Sequence, residues 1–176
     1  MFAFVLILLA VLSRVLPHAA WFNFTAVGGS LLYFGARRPL KQAAWALLPL
    51  FATDYYLTVY AYGFPFHLND YLLTWSWYAA VLVLGSLMLK QSASAGRLIG
   101  ASVLAPTAFF GISNFTVWSA SGMYPHSLGG LGTCYLAALP FYRNDLASTL
   151  LVTGLAFGLP VLLHRSIPTE AHQRTA

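Results

Sequence analysis

Apolar runs broken by clusters of Pro, Gly and charge divide the chain into six segments, at about 2–17, 21–36, 40–62, 70–90, 96–118 and 145–165. Hydrophobicity is continuous within each, whereas the strands of a membrane barrel alternate apolar and polar residues over ~10 positions. The pattern therefore predicts helices. At ~1.5 Å per residue they cross most or all of a ~30 Å hydrocarbon layer. The expected fold class is all-α: an integral membrane bundle of six transmembrane helices forming a single domain over residues 1–176. One stretch departs from this plan. Residues 119–144 are long for a connection, and "SLGGLGTCYLAALP" predicts a short helix between Gly132 and Leu139, bent at Gly129 and Gly130 and stopped by Pro140. Too short to span, this helix either caps a cavity or rests among lipid headgroups.

Composition sharpens the membrane reading. Charged residues make up 7% of the chain and hydrophobic ones 59%, with a mean hydropathy of +0.72; a soluble domain is about one-quarter charged. Nine basic residues against four acidic form no stripe interleaved with exposed aromatics, so the excess does not point to nucleic acid. Cys134 is the only cysteine, which excludes a disulfide framework. The opening "MFAFVLILLAVLSRVLPHAAW" has some features of a secretory signal. It has no basic leader, however, and Arg14 interrupts it, so it is read as a first spanning helix.

The basic residues orient the bundle. Arg37, Arg38, Lys41, Lys90, Arg97, Arg165 and Arg174 fall on the side shared by both termini, and only Arg14 and Arg143 on the other. Seven against two places both termini, with the tail at 166–176, in the cytoplasm. Arg14, His18, Asn23, His67, Asn69, Asp70, Asn114, His126, Cys134, Arg143, Asn144 and Asp145 then all fall in the outward half. Asp54, about 14 residues into its segment, reaches ~21 Å from the inner surface, much the depth of Arg14. An ionised side chain at a helix centre costs roughly 2.5–3.5 kcal/mol, so two at one level are expected to meet or to share a wet cavity. Arg14 and Asp54 are thus expected to touch or to hold a common ligand. A purely structural ion pair, or Arg14 snorkelling to the outer interface, meets the same requirement. Tyr55, Tyr56, Tyr60, Tyr62, Phe64, Phe66, Tyr71, Trp75, Trp77 and Tyr78 crowd this side too, either as an interfacial belt or as walls for a flat organic ligand.

Familiar catalytic motifs are missing. No G-x-x-x-x-G-K-[ST] sequence occurs, so the chain does not energise transport by itself; HExxH, CxxC and G-x-S-x-G are also absent. No enzymatic activity is expected, and a membrane enzyme with His67 or His126 as base ranks last among the readings. His18, His67, His126 and Cys134 are all outward, but none lies at the i, i+4 spacing of a helical metal site. Each His has interfacial hydrogen bonding as its plainer role, and Cys134 that of a small buried apolar residue. The NFT triplets at Asn23 and Asn114 match a glycosylation sequon but are assigned to helix ends near the cavity. Gly96-xxx-Gly100 and Gly154-xxx-Gly158 permit close helix contact, internally or with a partner.

The stretches "LSRVLPHAAWFNFTAVGGSLLYFGA" (12–36) and "SNFTVWSASGMYPHSLGGLGTCYLAALPFYRNDLASTLLVTGLAFG" (113–158) resemble a family of small, functionally uncharacterised bacterial membrane proteins. That family in turn is similar to the substrate-binding S components of energy-coupling-factor vitamin transporters. The resemblance implies six helices in a bacterial inner membrane, capturing a vitamin or micronutrient in an outward cavity. Energy would come from a separate membrane subunit with ATPases, unless the protein acts alone. A narrower likeness is to the small cobalamin transporters of this fold class, in which a cysteine some dozen residues beyond an Asp ligates cobalt. Here His67 follows Asp54 by thirteen residues, which implies an imidazole as possible cobalt ligand and cobalamin as the leading transported ligand. Arg14, His18, Asn23, Asp54, His67, Tyr71, Asn114, His126 and Arg143 are the expected binding residues. The competing expectation is a non-transporting scaffold or assembly subunit whose outward polar face is a protein interface.

Overall fold

A computed structural model describes residues 1–16 and 23–165, with side chains as far as Val161; His18 and the tail at 166–176 lie outside the described residues. The described residues are all-helical, with six α-helices: α1 (Phe2–Val15), α2 (Val27–Arg37), α3 (Ala44–Tyr56), α4 (Leu68–Leu89), α5 (Ala95–Ala120) and α6 (Leu128–Arg165). A 3-10 turn at Leu40–Gln42 leads into α3, and a π-helical turn at Leu57–Ala61 ends it.

Successive helices run antiparallel, as their contacts require. Ser30 Oγ donates to the Leu6 carbonyl at 2.9 Å and the Ala26 amide to Ser13 Oγ at 3.0 Å, which sets α1 against α2 head to tail. Phe51 stacks on Trp75 at 4.2 Å, Trp77 lies 5.8 Å from Phe109, and Tyr142 lies 4.7 Å from Phe110, setting α3 on α4, α4 on α5 and α5 on α6 in the same sense. Up-and-down order follows from short connections between long apolar helices. It gathers Arg37, Arg38, Lys41, Lys90 and Arg97 at one end of the bundle. There the Arg37 and Arg38 guanidinium groups lie over Phe157 and Phe4, at 5.1 and 4.9 Å.

The centre of the bundle is α2, in which Leu31, Leu32 and Phe34 are almost wholly buried. Glycine lets it sit so deep. A Cβ on Gly35 would strike the Leu82 carbonyl of α4, and a Cβ on Gly85 would strike the Leu32 carbonyl of α2. The two Leu-x-x-Gly pairs interlock, each glycine receiving the other helix's backbone. The Gly-xxx-Gly spacings noted in the sequence do not act this way within the chain: a Cβ on Gly96, Gly154 or Gly158 meets nothing.

Three helices, α4, α5 and α6, are long and apolar enough to cross a membrane, while α1 is apolar but shorter. Large apolar side chains face outward along the bundle, with Leu87 76%, Leu136 67% and Trp45 67% exposed. Such a surface is foreign to a monomer in water.

The short helix expected at Gly132–Leu139 is not separate. It is the first part of α6, which continues through Pro140 and Pro160 to Arg165, so the segment expected at 145–165 begins far too late. Ser127 starts the helix, its side chain accepting from the Gly130 amide at 3.1 Å and its carbonyl from the Leu131 amide at 2.9 Å. Beyond it, Tyr135 Oη donates to the Gly111 carbonyl at 2.5 Å and Tyr142 Oη lies 2.8 Å from Thr107 Oγ1, fastening this part of α6 to α5. A proline forfeits one backbone bond and bends a helix, and neighbouring helices hold such a bend. Pro49 in α3 and Pro106 in α5 are carried in the same way.

Candidate functional site

At the end opposite the basic cluster, Arg14 of α1 and Asp54 of α3 form a hydrogen-bonded ion pair, Arg14 Nη2 donating to Asp54 Oδ1. The second carboxylate oxygen accepts from the Trp75 indole at 2.9 Å. Asp54 is 3% exposed, and a charge so buried needs this full set of partners. The π-helical turn holds the pair from below. Thr58 Oγ1 donates to the Asp54 carbonyl at 2.8 Å and also meets Tyr71 Oη, tying the widened turn to α4. Widened turns of this kind recur at functional sites. Arg14 is left half-used: its Nη1 is buried with no hydrogen-bond partner among the described residues.

This pair stands in the wall of a cavity of about 330 Å³ to which all six helices contribute. Arg14 comes from α1; Val27, Gly28 and Leu31 from α2; Asp54 from α3; Tyr71, Thr74, Trp77, Tyr78 and Val81 from α4; Ala105, Pro106 and Phe109 from α5; Asp145 and Thr149 from α6. Asn23 and Thr25, in the chain leading to α2, complete it. The lining grades from exposed Asn23 to buried Leu31, Val81 and Ala105. Asn23 takes a left-handed backbone with φ of 61°, which Asn tolerates better than most residues. A second hollow of about 160 Å³ adjoins the first, sharing Asn23, Pro106, Phe109 and Asp145 and adding Ser113, Asn114 and Tyr142.

Among the expected binding residues, Arg14, Asn23, Asp54 and Tyr71 come together in the first cavity, and Asn114 joins through the second. Three others do not. His67 is exposed at the start of α4, outside both linings. His126, in the connection before α6, is exposed with its ring 5.5 Å from that of Trp118. Arg143 is exposed on the outer side of α6, in a shallow groove with Leu136, Leu139, Pro140 and Leu146. The reason is helical phase: residues 143 and 145 are about 200° apart around an α-helix, so Asp145 facing inward turns Arg143 outward. Among the described residues no three His, Cys, Asp or Glu groups assemble as a metal site. Cys134 is buried, its Sγ 3.4 Å from the Asn114 carbonyl.

Sequence reasoning missed Thr25, Thr74, Phe109 and Thr149, and left Asp145 among the outward polar residues without a place in the site. Asp145 had a readable signal, as the only acidic residue of its segment. Thr74 and Thr149 had none, because a hydroxyl in a helix is usually turned back on its own backbone.

A sequence comparison adds one fact to this geometry. The chain belongs to the family described as "Family of unknown function (DUF6580)", which it matches over residues 1–170. No curated protein and no solved structure matches it.

Proposed function

We propose that this member of the family binds a small organic molecule in an outward-facing cavity of a six-helix membrane bundle and serves its uptake, in the manner of an S component. The observation that carries this reading is the cavity at the Arg14–Asp54 pair, lined from all six helices, with polar groups at its mouth and rings in its walls. Small-molecule sites are commonly clefts of ~300–1,000 Å³, mainly apolar and carrying a few convergent polar groups. The exposed apolar flanks of α4, α5 and α6 would face lipid, and the basic end would face the cytoplasm. Both termini are then cytoplasmic, and the bundle lies in a bacterial inner membrane. No ATP-binding sequence is present, so a separate energy-coupling subunit is the natural partner.

The geometry favours a ligand smaller than cobalamin. A corrin with its nucleotide tail exceeds what a cavity of about 330 Å³ accepts, and His67 is outside the lining. A scaffold role has one observation in its favour: the Gly154 and Gly158 positions of α6 meet no neighbour among the described residues, which leaves room for a partner helix.

The test is native mass spectrometry of the detergent-purified protein, before and after Thr74→Phe, which places a ring in the cavity. A co-purifying small molecule lost in the variant, with thermal unfolding unchanged, is the expected result. Bound mass indifferent to Thr74→Phe, together with stoichiometric capture of a partner lost on Gly154→Leu, would favour the scaffold.

A further inference from the structure

We infer that the cavity takes a small organic cation, its positive group held by the Asp145 carboxylate where the two hollows meet and its ring lying against the wall that Trp77 and Phe109 form. This rests on the binding role proposed above and names the chemistry of the ligand.

Among the described residues this cavity is lined by one basic side chain, Arg14, and two carboxylates, Asp54 and Asp145. Arg14 and Asp54 compensate one another, and Trp75 completes Asp54. Asp145 has no such complement. Among the described residues its only side-chain partner is Thr149 Oγ1 at 3.4 Å, and no cation pairs with it. A carboxylate in so narrow a hollow is incompletely hydrated and takes up a compensating cation or a proton. Here the place for that charge is empty space, since Asp145 lines both hollows. An anion entering would find Arg14 already neutralised and Asp145 repelling it.

The walls choose the kind of cation. Trp77 and Phe109 line the cavity with rings 5.8 Å apart, inclined at 32°, and Phe109 reaches the junction together with Asp145. Aromatic faces attract ammonium and heteroaromatic cations, most strongly where water is excluded. A calcium ion would need six to eight oxygen ligands, and this wall is largely rings and aliphatic carbon. The buried, unpartnered Arg14 Nη1 fits a molecule that also carries a carbonyl, hydroxyl or ring-nitrogen acceptor.

The test uses the full chain in lipid nanodiscs and three probes of similar size: benzyltrimethylammonium, benzyl alcohol and benzoate. Saturable binding is followed by saturation-transfer NMR. The cation should bind about tenfold more tightly than either of the others, and Asp145→Asn should abolish that preference. If Asp145→Asn fails to fold, Phe109→Leu serves, weakening the cation about threefold more than it weakens benzyl alcohol. Equal or tighter binding of benzoate or benzyl alcohol overturns the charge assignment while leaving the binding cavity standing. Displacement of the probe by an equal concentration of sodium ion overturns it in favour of an inorganic cation. Binding of none of the three contradicts the cavity's binding role together with this inference.

Discussion

Asp54 receives a guanidinium on one oxygen and an indole N–H on the other, and both donors come from helices distant in sequence. Removing one partner of such a pair leaves a buried charge behind, which typically costs 3–5 kcal/mol, whereas replacing both with apolar groups is often neutral. Asp54→Ala should therefore lower stability by about 3–5 kcal/mol, and Arg14→Met with Asp54→Leu should recover most of that loss. Thermal unfolding in detergent measures both, as a double-mutant cycle. Trp75→Phe keeps the ring stacked on Phe51 but loses the bond to Asp54; about 1.5–3 kcal/mol should go with it. The meeting of Arg14 and Asp54 was legible in the sequence, because two charges at one depth in apolar segments have few other places to go. The share taken by Trp75 was not, since tryptophans crowd that side whether they belong to a belt or to a site.

Among the elements, the interlocking of α2 with α4 makes the sharper prediction. Gly35→Ala and Gly85→Ala each drive a methyl into a facing backbone carbonyl and should force the two helices apart, with loss of folded protein by size-exclusion chromatography. Gly96→Ala, by contrast, meets open space and should leave the unfolding temperature unchanged or raise it slightly, as alanine favours helix by up to ~1 kcal/mol. Spacing did not single out these two glycines. A Gly-xxx-Gly pattern marks a face on which close approach is possible, but only the facing helix decides whether it happens. Leu32-x-x-Gly35 and Leu82-x-x-Gly85 sit opposite one another, and no pattern within either helix announces it. Pro140 misled for a related reason. It has a strong local tendency to stop a helix, and the fastening of α6 to α5 through Tyr135 and Tyr142 overrides it.

The whole molecule collects its scattered polar residues because six antiparallel helices return one end of each to the same level. Sequence reading reached this arrangement from hydrophobic runs and the bias of basic residues, and it placed Arg14, Asn23, Asp54, Tyr71 and Asn114 near one another. It misplaced Arg143, whose outward turn is fixed by α6 running unbroken through residue 145. The central claim is that this end encloses a water-filled cavity reached from outside the cell. Substituted-cysteine labelling tests it most directly. In a Cys134→Ser background, cysteine is introduced by Thr74→Cys, in the cavity wall, or by Leu87→Cys, on the exposed apolar flank. Intact cells are then treated with a membrane-impermeant maleimide. The account predicts that the Thr74→Cys protein is labelled from outside and the Leu87→Cys protein is not. A Thr74→Cys protein that stays unlabelled until the cells are broken open would contradict it.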